Sequence, residues 1–369
     1  MVTRPSHLLL MTLISTTFMG PRAGAVGAVV ADEDAQAIDS AQALMSWSNA
    51  HVTLDVRLSL PAGTGGLWLL PLPTGATAEV IEGETLNTLA HWDTPTVTVM
   101  SRSPDAAGCD ATSDSTTLLS AEGTREFPTE EGDFDDVGVL VKPSLSSLSD
   151  WLEERGQSLP ASLETRLGGA LSGGKDLVWA ALSPGDSPRF TPTLRVRFHQ
   201  LPDAKQPLPL SLNRVEGQGR YDLLLHVLSD KRYRVENYPS VEASQLGEHL
   251  SEQAQRPQPY QAAMDAMADE AGGSLVVAES ADILSGSGPL ADLISGEADF
   301  LTRLHLRSSP ERLVDATIAF AKDGPPLSPE VQVTLGGDTA ASIPLWVLLV
   351  GLGARARRRR TAQGRDRAE

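Results

Sequence analysis

The sequence predicts an α+β fold of mostly antiparallel sheets with a few packed helices, in one or two lobes. Alternating apolar and polar residues, which are typical of strands, recur along most of the chain. Helical spacing appears only in a few short stretches. The strand patterns follow one another in runs and do not alternate regularly with helices, which argues against a parallel βαβ architecture.

The N-terminal part predicts several strands and one helix. Ala41 to Trp47 is a strand candidate, and Val52 to Leu60 alternates until a turn rich in Pro and Gly at 61–66. Leu67 to Leu72 then resumes the strand pattern. Two such runs joined by a Gly-containing loop predict a β-hairpin. The remaining elements of this part are a helix over Glu84 to Trp92 and a strand over Thr96 to Met100.

The C-terminal part predicts further strands and three helical stretches. Ser144 and Ser146 are candidate N-caps of a helix whose apolar face contains Leu148 and Leu152. A helical stretch from Ser244 to Met267 must break at Pro257 and Pro259, because proline interrupts a helix interior. The other predicted elements are a helix over 161–171 and strands over 137–141, 177–182, 194–198, 221–228, 232–236, 274–278 and 300–306.

Polar stretches give the predicted domain boundaries. Pro104 to Gly132 is rich in Ser, Thr, Gly, Asp and Glu, as surface loops are. A loop over 104–136 therefore links two candidate lobes, 26–103 and 137–324. Residues 325–340 are interpreted as a second linker.

The two ends of the chain predict export. Arg4 precedes an apolar run and the small residues Ala23 and Ala25, so 1–25 is a predicted signal peptide with cleavage near these alanines. Residues 341–354, which contain Trp346, are a predicted short transmembrane segment, and 355–369 are a predicted basic cytoplasmic tail. Arginines next to an apolar segment resist transfer across a membrane. The cluster consists of Arg355, Arg357, Arg358, Arg359 and Arg360.

Charge and cysteine content exclude several classes. The 369 residues carry a formal net charge of −18, and the two terminal segments contain nine of the 30 basic residues, so the part between them is still more acidic. Such a surface repels nucleic acid and anionic lipids. Cys109 is the single cysteine, so an internal disulfide is excluded and a large core must stabilise the fold.

Two motifs resemble ligand sites. Gly169 to Lys175 matches the front of a phosphate-binding loop, but Asp176 replaces the required Ser or Thr, and the glycines follow a helix and precede a strand. We therefore expect a turn and no nucleotide site there. Glu130 to Asp136 contains five carboxylates that could bind Ca²⁺, although their spacing is not that of an EF-hand and a solvated acidic loop is the commoner origin. Otherwise no cofactor is expected.

The seven histidines lack a metal-binding spacing. The alternative function is that of a secreted hydrolase or metal-dependent enzyme, whose site would be assembled from residues that are distant in the sequence. Its first candidates are His199, His226, Asp222 and Glu236. We assign catalytic, cofactor-binding and metal roles to none of them at this point.

Several segments resemble, in this order, the bacterial family called domain of unknown function 2330. They are Val137 to Val141, Leu148 to Gly156, Leu194 to Phe198, Tyr221 to Leu228, Arg232 to Pro239 and Phe300 to His305. The resemblance covers about residues 26 to 324. It implies a secreted bacterial protein without an established activity, so it transfers no catalytic residue. Related proteins often place cysteine near the mature N-terminus, where this chain has none.

The tail resembles the C-terminal sorting signals of Gram-negative bacteria. Gly336 and Gly337 would fill the glycine motif that precedes the apolar segment and the arginine cluster. The apolar segment would form about 22 Å of helix against a hydrocarbon core of about 30 Å. An ordinary short C-terminal anchor is the other interpretation.

Together these features predict an exported envelope or cell-surface protein that acts as a non-enzymatic binding or structural module. It would lie on the periplasmic face of the inner membrane, or be sorted to the cell surface or released. The expected partners are the inner membrane, the export machinery and sorting machinery, and nucleic acid is not among them.

Overall fold

A computed structural model describes residues 27–335, apart from 32–33, 37, 39, 49–50, 93, 102–115, 121–130, 200–205, 215–218, 254–255, 257, 284–299 and 322–325. Several predicted features lie outside the described residues. They are the signal peptide with Ala23 and Ala25, Cys109, Gly336, Gly337, the apolar segment with Trp346, and the basic tail with Arg355 and Arg357 to Arg360.

Strands outnumber helices in the described chain. The strands are β1 (Ala28–Ala31), β2 (Asp34–Gln36), β3 (Ser40–Ser48), β4 (His51–Leu60), β5 (Gly66–Leu72), β6 (Thr77–Ile81), β7 (Thr96–Ser101), β8 (Thr116–Ser120), β9 (Phe134–Leu140), β10 (Asp176–Leu182), β11 (Arg189–Phe190), β12 (Thr193–His199), β13 (Gln206–Leu208), β14 (Tyr221–Ser229), β15 (Tyr233–Val235), β16 (Ser240–Glu242), β17 (Ser274–Ile283), β18 (Phe300–Ser308), β19 (Ala316–Phe320) and β20 (Glu330–Leu335). The α-helices are α1 (Glu84–His91), α2 (Leu145–Glu153), α3 (Ala161–Leu171), α4 (Gly247–Gln253) and α5 (Pro259–Glu270).

Two sheets stack face to face and helices cover their outer sides. The small sheet has the order β2-β1-β5-β10-β9, and the large sheet has the order β16-β17-β18-β14-β3-β4-β12-β6, with β11 added to β4. Apolar side chains of both sheets form one core between them. Helices α2 and α3 pack on the far side of the small sheet, while α1 and α5 pack on the far side of the large sheet. The predicted α+β class is confirmed, with strands dominating.

The predicted hairpin of β4 and β5 is wrong in its pairing. Both strands form, but β4 pairs with β3 and β12 in the large sheet, whereas β5 pairs with β1 and β10 in the small sheet. The connecting loop contains Gly63 and Gly66 at φ 78° and 115°, which L-residues rarely adopt. A Cβ on Gly66 would lie 2.1 Å from the Val30 carbonyl oxygen. This loop carries the chain between the sheets, so the two runs pack face to face.

Strands from both sides of the predicted linker 104–136 pair with one another. In the small sheet β5 pairs with β10, and in the large sheet β3 pairs with β14 and β4 with β12. The described residues of 26–103 and 137–324 are therefore interleaved in common sheets. The linker itself contains β8, which pairs with β7.

The predicted second linker, 325–340, also contains a strand. β20 pairs in parallel with β7, and Val331 and Val333 are buried beside α4 and α5. The strand predicted over 137–141 is β9, which forms one edge of the small sheet, and Val141 beyond it is 73% exposed.

The predicted helices form, and of the two candidate N-caps of α2 the structure uses Ser144, whereas Ser146 lies within the helix. Ser144 is the N-cap of α2 and exchanges hydrogen bonds with Ser147, which satisfies groups that the first helical turn leaves free. The stretch around Pro257 and Pro259 is divided between α4 and α5, with Pro259 as the first residue of α5. Within the described part of the chain, no helix combines the length and apolar composition needed to cross a bilayer.

Candidate functional site

A cluster of charged side chains lies on the helix-covered face of the large sheet. This outer ionic cluster consists of Asp222 of β14, Tyr260 and Asp265 of α5, Glu279 of β17, and Arg303, His305 and Arg307 of β18. All except Asp265 are at least nine-tenths buried. It is the richest concentration of buried ionisable groups among the residues that the structure describes.

Strand geometry places these side chains on one face. Arg303, His305 and Arg307 alternate with leucines along β18, so all three point away from the core between the sheets. Asp222 stands opposite Arg307 on β14. The register of β17 against β18 shifts at Glu279, which forms a β-bulge. Such bulges often redirect a side chain.

His305 is held between two carboxylates. Its Nδ1 lies 2.9 Å from Glu279 Oε1, and its Nε2 contacts Asp222 Oδ1. Carboxylates only accept hydrogen bonds, so both ring nitrogens must donate and the ring is an imidazolium. Burial by itself would lower the pKa of His305, but the charges and hydrogen bonds of Asp222 and Glu279 outweigh it and raise the pKa.

Glu279 receives three hydrogen bonds in the interior. Tyr260 donates its hydroxyl over 2.9 Å and Arg303 donates Nε over 2.6 Å, in addition to the contact from His305. Burial would raise the pKa of Glu279, but the two cations reverse this and lower it to about 2. Burial and then Glu279 raise the pKa of Tyr260 well above its usual value, so its hydroxyl stays protonated.

The two arginines extend the cluster in opposite directions. Arg303 Nη1 donates to the carbonyls of Leu89, Ala90 and Trp92, 2.9 to 3.1 Å away, at the C-terminus of α1. A cation there satisfies free carbonyls and opposes the helix dipole. Arg307 bridges Asp222 at 3.0 Å and Asp265 at 2.5 and 3.1 Å. Three cations thus balance three carboxylates.

A second buried histidine has a different environment. His226 lies opposite Arg303 and is 1% exposed, and neither of its ring nitrogens makes a hydrogen bond within the described structure. The backbone carbonyls of Leu89 and Ala43 favour its protonation only weakly. Burial, followed by the charge of Arg303, lowers the pKa of His226 to about 3. The ring is therefore neutral beside the Arg303 guanidinium.

The four candidate residues from the sequence do not form one site. Asp222 belongs to the outer ionic cluster, and His226 lies four residues along the same strand. His199 is exposed at the end of β12, where it faces His51. Glu236 follows β15 and lies 3.6 Å from Arg234.

Sequence reasoning missed the other members of the cluster. They are Tyr260, Asp265, Glu279, Arg303, His305 and Arg307. The available signal was the alternation of charged residues with leucines from 303 to 307. That pattern predicts a polar face but does not reveal that a helix covers it.

The glycine-rich stretch at Gly169 to Lys175 forms the expected turn between α3 and β10. Gly173 and Gly174 have φ of 87° and 74°, and the order is helix, turn, strand. Asp176 accepts backbone hydrogen bonds from Gly75 at 2.6 Å and Lys142 at 3.1 Å. Through these hydrogen bonds its carboxylate connects the turn to two other loops. The expectation of no nucleotide site remains a prediction.

The acidic run from Glu130 to Asp136 is described from Glu131 onward. Asp135 accepts hydrogen bonds from the Ser183 hydroxyl at 2.6 and 2.7 Å. Among the described residues, no three His, Cys, Asp or Glu side chains are arranged to hold a metal ion. Calcium binding by this run stays an untested expectation.

Comparisons with solved and curated proteins say little about activity. A crystal structure of a candidate nutrient-binding protein from Legionella pneumophila aligns over 81% of this chain and 70% of its own, with 9% identity and a TM-score of 0.23. A score of that size does not establish a common fold, so it supports no inference about function. No curated protein matches the chain significantly.

The family comparison is more informative about relationship. A family described as "Uncharacterized protein conserved in bacteria (DUF2330)" matches residues 20–321. The match agrees closely with the 26–324 resemblance. It ends before β20, which nevertheless pairs with β7. Because it spans most of the sequence, the chain belongs to the DUF2330 family of bacterial proteins.

Proposed function

We propose that this protein is an exported envelope or cell-surface protein whose folded part acts as a non-enzymatic binding or structural module. The observation that supports the absence of catalysis is the mutual neutralisation within the outer ionic cluster. Both nitrogens of His305 face carboxylates, and Glu279 is held by Tyr260, Arg303 and His305. A general base needs a free lone pair near its substrate.

The alternative, a secreted hydrolase or metal-dependent enzyme, has one observation in its favour. Glu279 contacts Nδ1 of His305 as the orienting acid contacts the histidine of a catalytic triad. The second carboxylate distinguishes the two cases, because Asp222 occupies Nε2, the nitrogen that would have to accept a proton.

The protonation state of His305 tests this choice. In ¹⁵N-histidine NMR of the full chain, the structural role predicts one ring with two N–H groups that loses a proton only at a higher pH than an ordinary histidine does. His305→Gln assigns that signal. A His305 ring that titrates at or below the pH of an ordinary histidine would favour the enzyme.

Export is supported by the sequence of the two ends. The test is cell fractionation of the full chain with mass analysis, compared with a variant in which Arg355 and Arg357 to Arg360 are replaced by serine. The parent should begin after about Ala25, and either stay membrane-bound or emerge without the residues after about Gly337. The variant should be released with its tail uncut, because arginines cost several kcal/mol each to pull through hydrocarbon. Identical fractionation and mass would contradict the anchoring role.

A further inference from the structure

We propose that His51 and His199 form a surface binding site for a divalent transition-metal ion. The site lies at the start of β4 and the end of β12, far along the large sheet from the outer ionic cluster. It goes beyond the proposed function and does not depend on it.

The strand register brings the two imidazoles together. His199 pairs directly with His51 across antiparallel strands, so both side chains lie on the same face. Their ring centroids are 3.9 Å apart and the ring planes are tilted by 43°. The register of six consecutive pairs therefore places the two histidines at directly adjacent positions on neighbouring strands.

Both imidazoles are available as ligands. The two residues are exposed, and within the described structure neither makes a hydrogen bond or an ion pair. Zn²⁺, Cu²⁺ and Ni²⁺ prefer imidazole nitrogen. Zn–N bonds of about 2.0–2.1 Å in a tetrahedral geometry place two ligand nitrogens about 3.3 Å apart. That separation is within reach of two rings in contact, with water completing the coordination.

The neighbouring charges allow a cation. Arg197, on the same face of β12, is the nearest cationic side chain on that strand, and it is engaged by Glu79 at 2.9 Å. The described pairing of β6 with β12 runs from Thr193 to Arg197 and does not include His199. On the other side, Ser48 of β3 stands opposite His51. Both proposed ligands are imidazole nitrogens, which disfavours Ca²⁺ and Mg²⁺ because these ions require oxygen ligands.

The test is calorimetric titration of the detergent-solubilised full chain with Zn²⁺ at pH 7.5. We expect His51→Gln and His199→Gln each to weaken binding at the site at least tenfold. The double variant should be little weaker than either single one, because chelation requires both rings. His91→Gln removes an exposed histidine of α1 and should leave binding unchanged.

Equal Zn²⁺ affinity and stoichiometry in the parent and the double variant would overturn the proposal. An equal loss in His91→Gln would also overturn it, because the effect would then be that of any exposed histidine. All variants should melt at the parent temperature without metal, so that a change in fold cannot explain lost binding.

Discussion

The two faces of β14 and β18 are almost equally buried, but one carries apolar side chains and the other carries charged ones. The inner face packs leucines such as Leu225 and Leu304 into the core between the sheets. The outer face carries Asp222, Arg303 and His305 beneath α5. Apolar packing has no preferred direction and responds mainly to volume. Paired charges require their partners in place, so the outer face should be more sensitive to single substitutions and to pH.

The strongest test of this comparison is Glu279→Leu. It leaves Arg303 and His305 buried without their shared carboxylate, and breaking a buried pair typically costs 3–5 kcal/mol. We expect a loss of about 4 kcal/mol in the unfolding free energy, measured by urea denaturation.

A double variant sharpens the same test. Glu279→Leu combined with Arg303→Met removes one charge of each sign, so it should be more stable than Glu279→Leu alone. A double variant that is less stable would show that the cost arises from lost packing and lost helix capping, not from an unpaired charge.

The matched substitution on the inner face is Leu225→Ala. It should lower the unfolding free energy by about 3 kcal/mol, because the truncation removes buried apolar atoms and also leaves a cavity in the core. The loss should be the same at pH 5 and pH 8. Leu225→Met, which keeps most of the volume, should cost less than about 1.5 kcal/mol. A loss from Leu225→Ala that changes strongly with pH would remove the distinction between the faces.

The outer face should contribute to the free energy of unfolding over a limited pH range, and this contribution should decrease both at low pH and at high pH. The pKa of Glu279 is lowered from 4.5 to about 2, so its contribution is present above pH 4.5 and is lost as the pH falls towards 2. The pKa of His305 is raised above 6.5, so its contribution is complete below pH 6.5 and is lost as the pH rises through the folded-state value.

His226 should oppose folding in acid. Its pKa is about 3 in the folded chain and 6.5 otherwise, so the unfolded chain gains a proton first as the pH falls below 6.5. The free energy of unfolding therefore falls by about 1.4 kcal/mol per pH unit. His226→Leu places a leucine beside Leu44 and Leu228. Between pH 8 and pH 5 its free energy of unfolding should therefore rise by about 2 kcal/mol relative to that of the parent. Parallel stability curves for the two proteins would contradict this assignment.

The smallest effect is expected where the ionic face reaches solvent. Arg197 and Glu79 are about half exposed and lie 2.9 Å apart. Arg197→Gln should lower the unfolding free energy by less than about 1 kcal/mol, and the difference should shrink in 1 M NaCl. Glu79→Gln is the matched control from the other side of the pair. If Arg197→Gln lowered the unfolding free energy as much as Glu279→Leu does, burial would not explain why the ion pairs of Glu279 stabilise the fold more than the pair of Arg197 and Glu79.

The inner face was predictable and the outer face was not. Alternation at Val52 to Leu60 and at Tyr221 to Leu228 identified strands whose apolar sides form the core. The same local pattern could not reveal that β4 and β5 join different sheets, because pairing depends on partners far along the chain. His305 meets Asp222 across 83 residues, and only the assembled register of β14, β17 and β18 brings them together.

The contact of Arg303 with Leu89 also bears on how the chain folds. These residues are 214 positions apart, and the carbonyls at the end of α1 have this partner only once β18 has been added. The parallel pairing of β7 with β20 likewise joins an early strand to the last one described. Long loops must close before such contacts form, and domains rich in them fold slowly. We therefore expect α1 to dock late, after synthesis of the C-terminal strands, and nascent N-terminal segments to lack a stable native structure of their own.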